Sequence, residues 1–436
     1  MPAPIDSLFA FLVAAVLAWL LVPLCDRMAW RIGAIDEPSE RGLHDVATPR
    51  LGGLAVLVGV LVAGAIWLPS HGGSQGWQHD TTLAILGGAA AITVFGIVDD
   101  IWELGAAPKL LGQIVATLIP VAAGVSVNRF TLPFMGQVAP GSVDLGELPL
   151  LGDVDLGMVL TMLGIVAVIN VINFIDGVDG LAAGVCAISG VTLAVIALSL
   201  DRTAAAALAA LTAGGAIGFL RHGLPPASSF LGDSGSNLLG YLLGIVAVQG
   251  ALKTNAVVAL FFPLIVLAVP ILDSGFVIAK RLKYRRPIYV GDTSHFHHRL
   301  TNIGFAQRKT LAYLYGWALI MAALALALRF VPYSDDHGHF DPAWTAVIIA
   351  CGVATLAASA YVLVALEILK LRRIRLRQML DLRPAGEPPP AEAEVDAGVA
   401  HELETGSFAA VNPDTGELES VDPETGDFEA VGPAQD

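Results

Sequence analysis

The chain has 436 residues, 55% of them hydrophobic and 14% charged, with a mean hydropathy of +0.69. A soluble domain carries about 25% charged residues, so this composition excludes a soluble globular protein and implies a polytopic membrane protein. The net charge of −15 belongs to the end of the chain: fourteen of the 39 acids and no Lys or Arg lie from residue 384 onward, leaving the body near neutral.

In chain order, eleven apolar stretches are long enough to cross a hydrocarbon core. They fall at about residues 7–24, 52–69, 81–98, 109–127, 156–173, 181–200, 203–221, 236–252, 255–279, 310–331 and 343–369. The first has no basic residue before it and no small-residue cleavage site after it, so it reads as a retained helix, not a signal peptide. Cys25, Cys186 and Cys351 are isolated and show neither metal-ligand spacing nor a disulfide framework. An odd number of spans puts the two termini on opposite sides. Twenty of the 24 Lys and Arg fall in loops of one side, which the positive-inside rule assigns to the cytoplasm. The expected fold is an all-α polytopic membrane protein of about eleven transmembrane helices. Its N-terminus is outside, its C-terminus is cytoplasmic, and its membrane domain covers residues 1–370.

The external segments read as ordinary loops. Residues 128–155, rich in Gly and Pro with alternating apolar positions, predict a β-hairpin, and "PYSDDHGHFDP" reads as an exposed polar turn. After the last span, "KLRRIRLRQMLDLR" forms a basic amphipathic juxtamembrane segment (371–383) against anionic headgroups. Residues 384–436 read as a disordered acidic tail. It carries three ten-residue repeats, beginning at Glu404, Asp414 and Glu424. A solubilising role accounts for them, with docking of an unknown partner as the alternative. The lipid bilayer is the expected environment, and no nucleic acid is expected as a partner.

The polar clusters carry the functional signal. "DEPSERGLHDVATPRLGG" (36–53), "GIVDDIWE" (96–103), "NVINFIDGVDG" (170–180), "FLGDSGSN" (230–237) and "GDTSHFHHRL" (291–300) all fall at cytoplasmic span ends. Ordinary turns would scatter over both faces. Asp99, Asp100, Asp176, Asp179 and Asp233 would repel one another without cations among them. Oxygen donors without Cys point to a hard cation, Mg²⁺ with Mn²⁺ as the alternative. His295, His297, His298 and Arg299, with the bases between Lys280 and Arg286, suit a phosphate-rich anion. Metal, phosphate and an inner-face site together point to phosphoryl transfer between a soluble nucleotide and a lipid. A secondary transporter is the rival from another class, but its acids would lie near the midplane, often in repeated halves. Here they lie at one face, and neither "DGVDG" nor "DD" recurs in a second half.

Over roughly residues 10–330, this ordered set resembles the polyprenyl-phosphate N-acetylhexosamine-1-phosphate transferases, glycosyltransferase family 4, which also includes phospho-MurNAc-pentapeptide translocase. The resemblance rests on "NxxNxxDGxDGLA" at Asn170, Asn173, Asp176 and Asp179, and on "HxHHRL" from His295 to Leu300. The latter and "TPRLGG" look like the GlcNAc-type branch. The resemblance implies that Asp99 and Asp100 are the acidic pair at the reaction centre, handling Mg²⁺ or the lipid phosphate. It implies that Asp233 is a metal ligand and that Phe230 stacks on uracil. Asn170, Asn173, Asp176 and Asp179 would serve catalysis and nucleotide recognition, and His295, His297, His298 and Arg299 the pyrophosphate. The family usually has a basic residue where Gly42 stands; Arg41, His44 or Arg50 would compensate. The implied reaction transfers N-acetylhexosamine-1-phosphate, GlcNAc-1-phosphate first, from a UDP-N-acetylhexosamine to undecaprenyl or decaprenyl phosphate, releasing UMP. It would start a cell-envelope polysaccharide, such as lipopolysaccharide or a teichoic acid unit, at the cytoplasmic face of a bacterial plasma (inner) membrane. Asp99 is the choice for taking a residual proton, ahead of Asp100 or Asp176. A homodimer is compatible with this reading, though no motif specifies one.

Overall fold

The structure is a computed structural model that describes residues 3–37, 46–68, 79–127, 130–132, 136–148, 152–251, 261–283, 306–333, 341–381, 409–411 and 418–420. The chain divides into two compact units, residues 1–289 with 307–351, and residues 290–306 with 352–436.

The first unit is helical because apolar backbone in a bilayer must satisfy its hydrogen bonds within the segment. Its helices are α1 (Ala3–Ile32), α2 (Gly52–Trp67), α3 (His79–Trp102), α4 (Ala106–Ala122), α5 (Leu156–Ile175), α6 (Leu181–Ser199), α7 (Thr203–Gly223), α8 (Gly232–Val246), α9 (Phe261–Val266), α10 (Ala268–Lys283) and α11 (Gln307–Phe330). Helix α12 (Pro342–Asp381) runs from this unit into the second. Among the described residues, seven helices are long and apolar enough to cross a membrane: α1, α3, α5, α6, α7, α11 and the first part of α12. Helices α2 and α4 are apolar but shorter.

The ninth expected span, 255–279, differs from a single helix. It is described from Phe261 and is distorted at Leu267, between α9 and α10, where Leu267 N still donates to Pro263 O at 2.9 Å and Leu267 O accepts from Ile271 N at 3.1 Å. Pro270 lies four residues after Val266, the last residue of α9. Proline has no N–H to offer that carbonyl, and its ring clashes with it. Helix α8 also ends irregularly, in a π-turn over Ala247–Ala251.

Helix α8 lies at the centre of this unit. Every residue from Ser234 to Val246 is buried, and α2, α3 and α5 pack around it. Two glycines let its first turn come close. A Cβ on Gly53 would lie 2.2 Å from the Gly235 nitrogen, and one on Gly96 would lie 2.4 Å from Ser234 Cα. Membrane helices commonly use small residues for such backbone approach.

The extramembrane pieces are short antiparallel pairs. Strand β1 (Ile35–Asp36) pairs with β2 (Thr48–Pro49). The segment after β2 continues as a ladder to residues 230–231: Phe230 N donates to Pro49 O at 2.8 Å, and Gly52 and Gly53 donate to Phe230 O and Leu231 O, each at 3.0 Å. The segment expected to hold one hairpin holds two, β3 (Phe130–Leu132) with β4 (Gly136–Val138), and β5 (Asp144–Leu148) with β6 (Gly152–Asp155). Asp155 caps α5, its carboxylate accepting from Met158 N at 2.8 Å.

In the second unit, α12 stays helical through the basic juxtamembrane stretch to Asp381. Within the tail, β7 (Ala409–Val411) pairs with β8 (Leu418–Ser420), so the first and second repeats each supply one strand. The third repeat lies outside the described residues.

Candidate active site

The site forms where α3, α5 and α8 end on one side of the first unit. Helix α8 begins without a side-chain cap of its own. Its first amides are instead satisfied by α3: Asp100 Oδ1 accepts from Asp233 N at 2.7 Å, and Oδ2 from Ser234 N at 3.0 Å. A carboxylate there complements both the unsatisfied amides and the positive end of the helix dipole. Gly232 makes the turn possible. It has φ +72°, and a Cβ would meet Arg50 O at 2.3 Å and Asp100 Oδ2 at 2.6 Å.

Asp99, its neighbour, points elsewhere. Both are nearly buried, at 3% and 5% exposure for Asp99 and Asp100. Asp99 Oδ1 accepts from Leu104 N at 2.8 Å, closing the turn into α4. Asp99 Oδ2 lies 2.7 Å from Lys109 Nζ, and the same ammonium lies 3.2 Å from Asp233 Oδ2. One cation thus joins carboxylates from two helices.

Helix α5 supplies the third side. Asn173 Nδ2 donates to Asp233 Oδ1 and, at 3.0 Å, to Ser236 Oγ. Asn170 Nδ2 donates to Gln113 Oε1 at 2.7 Å and to Val166 O at 2.8 Å. Asp176, the C-terminal cap of α5, lies beside this cluster. Burial foremost, then the negative charges of Asp233 and Asp100, push its carboxyl well above the ordinary carboxylate range, against Ser236 and Arg50. Asp179 is directed to another turn, its Oδ2 accepting from Ala227 N at 3.1 Å. Phe230 is held by the ladder to Pro49, and Arg50 pairs with Asp36.

The structure therefore brings Asp99, Asp100, Asn173, Asp176 and Asp233 together, with Asn170 one side chain away. Asp179, Phe230 and Arg50 sit on the adjoining turns. His44, His295, His297, His298 and Arg299 lie outside the described residues. Sequence reasoning missed Lys109, Gln113 and Ser236. Lys109 had a signal: it is the single basic residue between Asp99 and Gln113, and crowded carboxylates need a counter-charge.

A shallow groove opens beside Asp99 and Lys109. Ile92, Phe95, Leu104 and Pro108 form its apolar lining, and Gln113 and Asn237 add polar groups. It offers an apolar wall leading to an ammonium. Among the described residues, no group of three or more His, Cys, Asp or Glu is arranged to hold a metal ion. The oxygen donors of Asp99 and Asp233 are of the kind a hard cation takes, and here both face the Lys109 ammonium, which a metal would have to displace toward substrate. Mg²⁺ commonly binds through one or two carboxylates, completing its shell with water and substrate phosphate.

A sequence profile described as glycosyl transferase family 4 matches residues 82–251. The chain is similar to the probable undecaprenyl-phosphate N-acetylglucosaminyl 1-phosphate transferase of Bacillus subtilis (strain 168), 36% identical over 321 residues, covering 73% of this chain and 84% of that protein. It is similar to the decaprenyl-phosphate N-acetylglucosaminephosphotransferase of Mycobacterium tuberculosis (strain ATCC 25618 / H37Rv), 33% identical over 372 residues, covering 79% and 87%. It is also 31% identical over 346 residues to the phospho-N-acetylmuramoyl-pentapeptide-transferase of Desulforudis audaxviator (strain MP104C), covering 75% and 98%.

Proposed function

The chain belongs to glycosyl transferase family 4, and from that premise we propose that it transfers N-acetylglucosamine-1-phosphate from UDP-N-acetylglucosamine to polyprenyl phosphate. The observation that carries this reading is the Lys109 ammonium between Asp99 and Asp233, beside a groove with an apolar wall. A prenyl phosphate needs both features, a cation for its headgroup and an apolar wall for its chain.

In the reaction, a phosphate oxygen of the lipid attacks the sugar-linked phosphorus of the nucleotide. The bond from that phosphorus to the bridging oxygen breaks, and its electron pair leaves with UMP. A phosphate monoester with a second pKa near ~6 is largely a dianion at neutral pH, so little base catalysis is required. Lys109 orients the lipid phosphate, and Asp99 takes any residual proton. Asn173 fixes Asp233, and the helix cap from Asp100 fixes the first turn of α8. Mg²⁺ held by Asp99 and Asp233 would supply positive charge against that developing on the bridging oxygen. His295, His297, His298 and Arg299 complete the nucleotide side.

We assign the site to the cytoplasmic face of a bacterial plasma membrane. The N-terminus is outside, the C-terminus inside, and about eleven spans lie between. The product would begin a cell-envelope polysaccharide. The test uses the purified full chain with polyprenyl phosphate, Mg²⁺ and a panel of UDP-sugars. Label passing from UDP-[³H]GlcNAc into a lipid-extractable product, with UMP released and chelator abolishing both, is the expected result. A folded protein that moves label from no UDP-sugar refutes the reading.

A further inference from the structure

Helix α11 holds two loops beside the carboxylate cluster. The Tyr315 hydroxyl donates to Gly180 O at 2.6 Å. That carbonyl also accepts from Gly184 N at 2.9 Å, the first hydrogen bond of α6. The Tyr315 ring lies over Gly184, where a Cβ would meet its Cζ and hydroxyl oxygen, each at 2.1 Å. Two turns earlier on the same helix face, Arg308 Nε donates to Pro225 O at 3.2 Å. The two loops are also joined directly, through Asp179 Oδ2 and Ala227 N at 3.1 Å. The result is a closed circuit: α11 to the 176–180 turn, across to the 224–230 turn, and back to α11. One turn carries Asp176 and the other leads into Phe230.

We propose that Tyr315 is a positioning residue that, together with Arg308 and Asp179, sets the spacing between the Asp176 turn and the Phe230 turn. The inference rests on the transferase reading for its consequence, but the clamp itself is a property of the fold. Gly180, at φ +75°, is the N-cap of α6 and has no side chain to brace it. Its carbonyl is held by the Gly184 amide and, from outside the turn, by the Tyr315 hydroxyl.

The experiment compares Tyr315→Phe with Tyr313→Phe in the full-length protein; Tyr313 lies on the same helix and is 62% exposed. Losing one neutral hydrogen bond predicts a kcat about fivefold lower in Tyr315→Phe, with the KM for polyprenyl phosphate unchanged. Hydrogen exchange over residues 176–184 should quicken in the same variant and stay at the wild-type rate in Tyr313→Phe. Adding Asp179→Asn should lower kcat no further than the larger single effect, because both groups hold one turn. Unchanged exchange in Tyr315→Phe overturns the proposal. So does faster exchange with wild-type kcat, or a double variant whose losses multiply. If the wild-type protein transfers no sugar phosphate, the transferase reading falls, and exchange alone decides whether Tyr315 holds the turn.

Discussion

The end of α3 and the turn between α5 and α6 each carry two aspartates, and each divides them between two jobs. On α3, Asp99 turns an oxygen to the Lys109 ammonium, while Asp100 places both oxygens on amides of α8. On the turn, Asp176 lies beside Asp233 and Asp100, while Asp179 accepts a backbone amide from Ala227. In both regions one carboxylate faces the charge cluster and its partner holds the chain that shapes it. They differ in strength. Asp100 makes two bonds from a buried position to a helix terminus, and Asp179 makes a longer one to a loop. Two acids close in sequence are therefore not two equivalent ligands, and the backbone around them decides which serves the chemistry.

Exchanging the jobs on α3 breaks this comparison most sharply. Asp99→Asn keeps the Leu104 contact but removes the charge facing Lys109, so kcat should fall by about 10²–10³, as when one preorganised electrostatic group is lost. Its thermal midpoint should hold, because removing one of several crowded carboxylates relieves repulsion. Steady-state kinetics and a melting curve in the same detergent check both halves. A variant that melts early but turns over normally would reverse the roles of Asp99 and Asp100.

Asp100→Ala sharpens the contrast from the other side. It leaves the Asp233 and Ser234 amides without their acceptor in a buried place, at a cost of about 2–4 kcal/mol. The expected outcome is a marked fall in melting temperature, with activity lost in proportion to folded protein. Asp100→Asn keeps one acceptor oxygen and should lie between the two. Wild-type stability in Asp100→Ala would show that α8 finds another cap.

Much of this was legible in the sequence, for identifiable reasons. The acids fall at the ends of apolar stretches, and helix ends on one face of a membrane bundle must lie near one another. That logic puts Asp99, Asp100, Asp176, Asp179 and Asp233 in one cluster; the structure gathers four of them and turns Asp179 to the Ala227 amide instead. The logic has no access to which atom meets which. The Asp100 contacts to α8 span 133 and 134 residues, and their register depends on how closely α8 approaches at Gly53 and Gly96. In the sequence Lys109 is only part of a loop's charge, since its role emerges when α4 folds back along α3. The distortion before α10 was within reach, because Pro270 stands inside an otherwise continuous apolar run. The pairing of the first two tail repeats was not, because such short strands are specified by partner and turn rather than by composition.

The smallest expected effect falls on the weaker of the two backbone-holding aspartates. Asp179→Asn keeps a side-chain oxygen for the Ala227 amide but loses the charge that strengthens the bond. Charge-assisted bonds are about twice as strong as neutral ones, so the substitution should cost around a factor of three to ten in kcat and little melting temperature. Asp179→Ala removes the acceptor and should cost more. Because Asp179 acts through the turn, the KM for polyprenyl phosphate should hold in both variants; on the proposed reading, in which Phe230 meets the nucleotide, the KM for the UDP-sugar should rise. If Asp179→Asn instead matches the loss in Asp99→Asn, Asp179 belongs with the charge cluster in the working enzyme. The division of labour would then hold only for the pair on α3.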